Sequence, residues 1–382
     1  MVVKTIYKKD LSQYFLDKLS KFLENGFVID TAQLWLLRFS FWWRANPNVS
    51  DTTPIAWIVK NETTDNITGF LGNLPILFDY NESKLMTSAA CAWYASDETS
   101  ADAAALYLQF NRQKNLDFIL NTTPSPSVQK MLQGTGYKMV GLDSYLRNYM
   151  IIIKYASFIS MMSCLLEKFS ESKTENIKYL MQVCSRLGNK IAEIIPESNP
   201  KILPPCLNNN IHEIRICPDS PSFLQYLHLH KKGDTIELSK DKTTLDWILF
   251  SPEVQALLHR TTAQIFTKTG EYCGYFIYDI QRVGKDTTLR IRELQLVKPD
   301  DAIIKLILKH AKIEAKNAGC AAVYSGLQNP DPAVNKLLHK HILLSLKTDN
   351  RYYVKFRKNV ITDVDPYSIY VPSDLDPDVG FI

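Results

Sequence analysis

The spacing of apolar residues changes repeatedly between helical and strand periods along the first 155 residues. Residues 11–23 carry apolar side chains at steps of three and four, which predicts a helix ending at Asn25-Gly26. Residues 31–45 keep this spacing with many aromatic rings and predict a second helix, halted before Pro47. Residues 54–60 predict a strand. This alternation of helices and strands indicates an α/β or α+β architecture.

Residues 67–140 contain the most informative pattern in the chain. Two strands (ITGFLGNLP and KLMTSAACAWYAS) precede an acidic turn (DET), and a helix rich in small residues (SADAAALYLQFNRQ) follows. Strand, short helix and strand complete the segment (LDFILNTT, SPSVQKMLQG and GYKMV). A helix that opens with small residues leaves its first backbone N–H groups accessible, and the helix dipole favours an anion there. The pattern therefore predicts a seat for a diphosphate at the start of this helix.

The second half of the chain repeats this order of elements. Three strands, a helix, a strand, a helix and a last strand are predicted between residues 261 and 358, without visible residue-by-residue similarity to the first half. Residues 196–210, rich in Pro and Asn, form the clearest linker. We interpret the chain as a tandem duplication of one fold. The predicted parts are an N-terminal domain (1–155), a helical connector with linker (156–210) and a C-terminal domain (211–382).

Composition narrows the class of protein. The 382 residues are 46% hydrophobic and 22% charged, which is typical of a globular protein with a sizeable core. The net charge of +4 is small and no dense Lys/Arg block occurs, so nucleic acid is not the expected partner. Seven cysteines without a C-x-x-C pair predict a reduced, cytoplasmic protein and no zinc site. No signal peptide is indicated at the N-terminus.

One apolar segment is a candidate for a membrane-spanning helix. Residues 150–166 (MIIIKYASFISMMSCLL) are mostly apolar but contain Lys154, and they are shorter than the roughly 20 residues of a spanning helix. We therefore interpret them as a buried strand running into an amphipathic helix, and we expect no membrane span.

The segment 54–149 resembles the GNAT superfamily of acyl-CoA-dependent N-acyltransferases, and residues 245–357 resemble it more weakly. The phrases ITGFLGNLP and GYKMVG look like the entry strand and the late Gly-aromatic strand of that family. The resemblance implies two tandem GNAT-like domains, each a mixed, mostly antiparallel sheet flanked by helices. It also implies acetyl-CoA or another acyl-CoA as co-substrate, with no metal. The splayed strand that binds pantetheine would be residues 86–96, and the loop and helix that hold the diphosphate would be 97–108.

The resemblance implies that a set of small residues around that loop binds the acyl-CoA carrier. The candidate carrier-binding residues are Ala95, Ser96, Ser100, Ala101, Ala103, Ala104, Ala105 and Thr122. The family's Arg or Gln followed by glycines is missing, since Ser100, Ala103 and Ala105 stand there instead. Three carboxylates also crowd the site, namely Asp97, Glu98 and Asp102. A competing interpretation needs no ligand: Thr99 or Ser100 caps the helix and Asp102 complements its dipole.

The second half departs further from the family pattern. Lys298-Pro299-Asp300 follows the corresponding strand, and Pro299 removes one amide donor from any phosphate cradle. We therefore predict a structural or substrate-side role for this half.

Amide formation from a thioester needs a base that takes a proton from the amine. The candidate catalytic residues are Asp97, Glu98 and Glu293, with a surface-cap role as the competing interpretation for the first two. Glu293 lies mid-strand, where it either pairs with Arg290 or Arg292 or points into the cleft.

The candidate acceptor-binding residues are Trp42, Trp43, Arg44 and Tyr94. Bulky rings at helical spacing are also the ordinary pattern of a packed core, so this interpretation stays beside the functional one.

The function predicted from the sequence is acyl-CoA-dependent N-acyl transfer, with acetyl transfer to an amine of a small molecule, amino sugar or peptide. Two alternatives stay open. One is a catalytically inactive binding module on the same fold, which the missing Arg/Gln-Gly pattern favours. The other is a CoA-independent aminoacyl transferase.

Overall fold

A computed structural model describes residues 3–27, 31–96, 100–122, 124–140, 147–154, 157–158, 212–230, 234–283, 286–325, 331–342, 344–347, 352–357, 361, 364–373 and 375. Two mixed sheets form the frame of the protein. The predicted linker at 196–210 and, apart from residues 157–158, the helical connector before it lie outside the described residues. The predicted domain boundaries therefore stay a prediction.

The first sheet has eight strands in the order β1-β2-β3-β4-β5-β15-β6, with β9 paired to β3. Their bounds are β1 Val3–Tyr7, β2 Pro54–Lys60, β3 Ile67–Tyr80, β4 Ser83–Ala95, β5 Phe118–Asn121, β6 Lys138–Val140, β9 Glu237–Leu238 and β15 Tyr352–Phe356. Only β4 and β5 run parallel among these described pairs.

The second sheet has seven strands in the order β14-β7-β13-β12-β11-β10-β8. Their bounds are β7 Arg147–Ile152, β8 His212–Ile216, β10 Thr261–Thr267, β11 Tyr272–Val283, β12 Asp286–Leu296, β13 Ala322–Ser325 and β14 Leu344–Lys347. Here β12 and β13 form the parallel pair, in the position that β4 and β5 hold in the first sheet.

Helices flank the sheets in both halves, and in each half one helix follows the third long strand and another follows the next strand. The first half has α1 Gln13–Gly26, α2 Ala32–Phe39, α3 Ser100–Asn111 and α4 Pro126–Gly134. The second half has α5 Ser220–Leu227, α6 Lys242–Leu245, α7 Pro252–Leu258, α8 Asp301–Asn317, α9 Pro332–His341 and α10 Pro366–Ile369. Both α2 and α6 run into a π-turn, Ser40–Arg44 and Asp246–Phe250. The repeated order confirms the predicted α+β fold with two tandem units.

Each sheet contains a strand from the other half of the chain. Strand β15, near the end of the sequence, lies between β5 and β6 of the first sheet. Strand β7, from the first half, lies between β13 and β14 of the second sheet. Sheet membership therefore does not follow chain order, and neither sheet is complete without both halves.

A shared hydrophobic core joins the two halves. It contains rings from α2 and its π-turn together with Trp247, whose indole N–H donates to the carbonyl of Phe41 at 2.8 Å. The Phe41 and Trp247 rings pack at 5.4 Å. Two further cores lie under α8 and under α3 with α4. No helix among the described residues is both long and apolar enough to cross a membrane.

Candidate functional site

Strands β4 and β5 separate after a short parallel contact. They pair only over Thr87–Phe118, Ser88–Ile119 and Ala89–Leu120. Beyond Ala89, β4 continues to Ala95 against β3, whereas β5 ends at Asn121. The backbone of β4 from Ala90 to Ala95 therefore has no described β5 partner, and we call this unpaired edge beside the end of β5 the gap.

A β-bulge marks the point where β4 leaves β5. The register between β3 and β4 shifts between Phe70 and Gly72, where Cys91 pairs with Gly72 and Tyr94 with Phe70. Ala92, inside this bulge, has φ of 48°, a left-handed conformation that costs a non-glycine residue energy. Gly72 allows the close approach, because a Cβ there would lie 2.6 Å from the Cys91 sulfur. A bulge turns backbone groups out of the regular ladder, in this case at the mouth of the gap.

Helix α3 begins next to the open end of β4, as the sequence predicts. The amide of Ser96 donates to the Thr68 carbonyl at 2.9 Å, which holds the end of β4 on β3. Asp102 is only 6% exposed and accepts a hydrogen bond from the Thr68 hydroxyl at 3.3 Å. One of the three crowding carboxylates is thus held on Thr68 of β3.

Some of the remaining candidate residues of the first half lie outside the described residues, and the others differ in burial. Asp97, Glu98 and Thr99 lie outside the described residues, as do the side chains of Ser100 and Ala101. Ala103 and Ala105 are partly buried on α3, and Ala104 is exposed. Ala95 pairs with Gly69, and Thr122 is buried directly after β5. Ala95 is thus the last residue of β4 and Thr122 follows β5, while contact with a carrier stays a prediction for the whole set.

The aromatic candidates divide between core and surface. Trp42 and Trp43 are 2% and 0% exposed. The Trp43 ring stacks on Phe39 at 4.8 Å, and its indole N–H donates to the Asn73 carbonyl at 3.1 Å. Both tryptophans have a packing role, which agrees with the competing interpretation of this cluster. Their contact with an acceptor stays a prediction.

Arg44 and Tyr94 take other positions. Arg44 is exposed at the end of the π-turn. Tyr94 packs against Phe22 and Phe27, and its ring covers Gly26 so closely that a Cβ there would be 2.6 Å away.

Glu293 has different partners from those expected. The expectation was a pair with Arg290 or Arg292, and Arg292 pairs with Asp279 at 2.8 Å. Glu293 forms an ion pair with Lys240 instead, and the Tyr275 hydroxyl donates to the same carboxylate oxygen. Lys240 also lies 2.8 Å from the Tyr275 oxygen. Burial, with a further contribution from the Glu293 charge, raises the pKa of Tyr275 well above its usual range.

The Lys240–Glu293 pair joins the two sheets. Lys240 directly follows Ser239, whose amide donates to the Leu77 carbonyl of β3 at 2.9 Å. Glu293 belongs to β12 of the second sheet. The Glu293 carboxylate thus accepts hydrogen bonds from strong donors. This arrangement fits a structural contact between the halves better than a catalytic base. A catalytic role for Glu293 stays a prediction.

Two features describe the corresponding corner of the second half. The Asp300 side chain already accepts hydrogen bonds from the Ala302 and Ile303 amides at 2.7 and 3.2 Å, so the start of α8 is occupied by its own cap. Arg292, the extra residue of the β12 bulge, is fully buried on Asp279. A structural or substrate-side role for the second half stays a prediction.

Sequence reasoning missed an aromatic group beside the first-half gap. Trp93, within the β4 bulge, stacks on Tyr107 of α3 with ring centroids 5.3 Å apart. The Tyr107 hydroxyl lies 2.8 Å from the Thr135 hydroxyl at the end of α4. A signal was available, because Trp93 and Tyr94 are adjacent on one strand and must point to opposite faces.

Comparison with known proteins gives a match in structure only. No family model and no curated protein matches this sequence. Crystal structures of Saccharomyces cerevisiae N-myristoyltransferase with bound myristoyl-CoA match over 97% of this chain and 89% of theirs, with a TM-score of 0.58 and 11% identity. A second such structure gives a TM-score of 0.57, 12% identity and coverage of 98% and 82%. The chain is similar in fold to this tandem GNAT protein, which confirms the resemblance at the level of architecture.

Proposed function

We propose that this protein is an acyl-CoA-dependent N-acyltransferase whose first half holds the carrier. The observation that carries the proposal is the gap between β4 and β5, opened at the Ala92 bulge and bordered by the start of α3. The tandem GNAT fold supports it.

The reaction would join an amine nitrogen to the thioester carbonyl carbon. The C–N bond forms, the C–S bond breaks, the amine loses a proton and CoA leaves as its thiolate or thiol. Asp97 and Glu98 stay the proposed bases. The backbone along Ala90–Ala95 would orient the carrier, because β4 has no β5 partner over these residues. We propose an amine of a small molecule, amino sugar or peptide as acceptor, and a cytoplasmic location.

The donor is the first point to test. We expect acetyl-CoA to bind, and myristoyl-CoA belongs in the same experiment because N-myristoyltransferase carries it in its crystal structure. Isothermal titration at low salt with CoA, acetyl-CoA and myristoyl-CoA measures binding to the full chain. A ligand at 100 times its Kd also raises the free energy of unfolding by about 2.7 kcal/mol, which thermal melting detects. Absence of both signals at millimolar ligand would refute the proposal.

Two matched variants locate the diphosphate. Ala104 and Leu108 are both exposed on α3, one turn apart. Ala104→Glu adds negative charge near the start of the helix, whereas Leu108→Glu adds the same charge one turn further on. We expect Ala104→Glu to weaken CoA binding several-fold at low salt and Leu108→Glu to weaken it much less. Equal effects would place the diphosphate elsewhere.

The inactive binding module is the second candidate. The fixed state of the Glu293 carboxylate favours it, because the second half then offers no free base at this position. Release of CoA thiol from acetyl-CoA, measured against a panel of small amines, amino sugars and peptides, distinguishes the two. Binding of CoA without any amine-dependent release would favour the binding module.

A further inference from the structure

The indole N–H of Trp93 is a buried donor at the edge of the proposed carrier site. Its Nε1 atom is shielded from solvent and meets no hydrogen-bond acceptor among the described residues. The indoles of Trp43 and Trp247 show the usual outcome, since each donates to a backbone carbonyl, at 3.1 and 2.8 Å. A buried donor without an acceptor costs about 1–3 kcal/mol. Trp93 is therefore a position where the described part of the protein leaves a polar group unsatisfied.

The location of Trp93 connects this donor to the gap. It directly follows Ala92, whose left-handed backbone forms the bulge where β4 continues beyond its pairing with β5. Its ring packs on Tyr107 of α3 in the core that α3 and α4 cover. Tyr107 is in turn tied to Thr135 at the end of α4. Trp93 thus lies on the part of β4 that has no described β5 partner, with its ring packed against α3.

A carrier arm supplies the group that this donor lacks. The pantetheine part of CoA contains two amide carbonyls, and an amide carbonyl is a good acceptor for an indole N–H. Regular β4 backbone can bind such an arm in many registers, whereas a fixed side-chain donor selects one.

We propose that the Trp93 indole N–H donates a hydrogen bond to an amide carbonyl of the pantetheine arm and so sets the depth of the thioester in the gap. This inference rests on the proposed function. Trp93 acts here as a positioning residue, because it contacts the arm and not the reacting atoms.

The substitution Trp93→Phe tests the role of the N–H, since it keeps an aromatic ring against Tyr107 and removes the donor. Trp35→Phe is the matched control, because the Trp35 indole N–H also lacks a described acceptor but lies in the apolar core on α2. Three probes separate the parts of the carrier: CoA, pantetheine without the nucleotide, and adenosine 3′,5′-bisphosphate without the arm. Titration calorimetry measures each affinity in the full chain, and thermal melting checks folding.

We expect Trp93→Phe to weaken CoA and pantetheine binding about 3- to 10-fold and to leave adenosine 3′,5′-bisphosphate binding unchanged. Trp35→Phe should leave all three unchanged. Unchanged CoA affinity in a folded Trp93→Phe protein would overturn the inference while leaving the proposed function intact. An equal loss for adenosine 3′,5′-bisphosphate would also overturn it, because the ring would then act through general packing. No CoA binding by the unsubstituted protein would refute the proposed function and this inference with it.

Discussion

The buried ion cluster around Asp279 gives the sharpest test of what stabilises the second half. The Asp279 carboxylate receives the guanidinium of Arg260 at 2.6 and 2.7 Å and that of Arg292 at 2.8 Å. Side-chain exposure is 2% for Arg260 and 0% for both others. Burial by itself would raise the pKa of Asp279, but the two arginines hold it below its usual value. We expect Asp279→Asn to destabilise the protein strongly.

The size of the effect follows from what remains after the substitution. Asparagine keeps the volume but leaves two buried cations without a counter-charge, and breaking a buried pair in this way costs about 3–5 kcal/mol. Unfolding entropy near 60 °C is about 2.1 cal/mol/K per residue, which for 382 residues amounts to ~0.8 kcal/mol/K. Dividing the two gives a fall in Tm of about 4–6 °C.

Thermal melting followed by circular dichroism at pH 7 measures this fall. The control is Lys242→Ala, which breaks the exposed i,i+4 pair with Asp246 and should shift Tm by about 1 °C or less. The loss of stability at acidic pH gives a second measurement. Because the pKa of Asp279 is lowered on folding, its contribution is present at neutral pH and disappears as the pH falls through the lowered value. Asp279→Asn should therefore lose less stability on acidification than the unsubstituted protein.

A folded Asp279→Asn protein with a Tm within about 1 °C of the original would refute this reasoning. It would mean that the arginines find other acceptors or water at little cost.

Two further predictions concern a buried histidine and a pair of glycines. His310 packs against Phe276, and burial lowers its pKa to about 4, so the unfolded state binds the proton first and stability falls as the pH drops from about 6.5 toward 4. His310→Leu should remove part of that fall, measured as Tm against pH, and an unchanged slope would contradict the assignment. Gly274 has φ of 153°, and a Cβ there would lie 2.3 Å from the Gln295 carbonyl oxygen, so Gly274→Ala should destabilise by about 2–4 kcal/mol. Gly134→Ala in α4, with nothing within 4 Å, should stabilise by about 0.5–1 kcal/mol, and urea unfolding that reversed this order would contradict the prediction.

The spacing of apolar residues along the chain was sufficient to predict the helices and strands and their order. The spacing predicted β2, β4 and α3 close to their observed bounds, whereas β3 continues five residues beyond its predicted end, and the repeated order in the second half predicted the tandem units. Such patterns are readable because each side chain's face depends on its near neighbours in sequence. The small residues opening α3 also placed the candidate carrier site in the region where β4 and β5 separate.

Only the tertiary structure decided which distant residues meet. The exchange of β7 and β15 between sheets, the pairing of Glu293 with Lys240 and the burial of Asp102 on Thr68 all join segments whose separation carries no local signal. The unsatisfied Trp93 donor is of the same kind, since any tryptophan can donate and only the packing around it determines whether an acceptor is within reach. Hydrogen-bond and ion-pair partners depend on distances of a few ångströms between elements, and the order of residues along the chain sets no such distance.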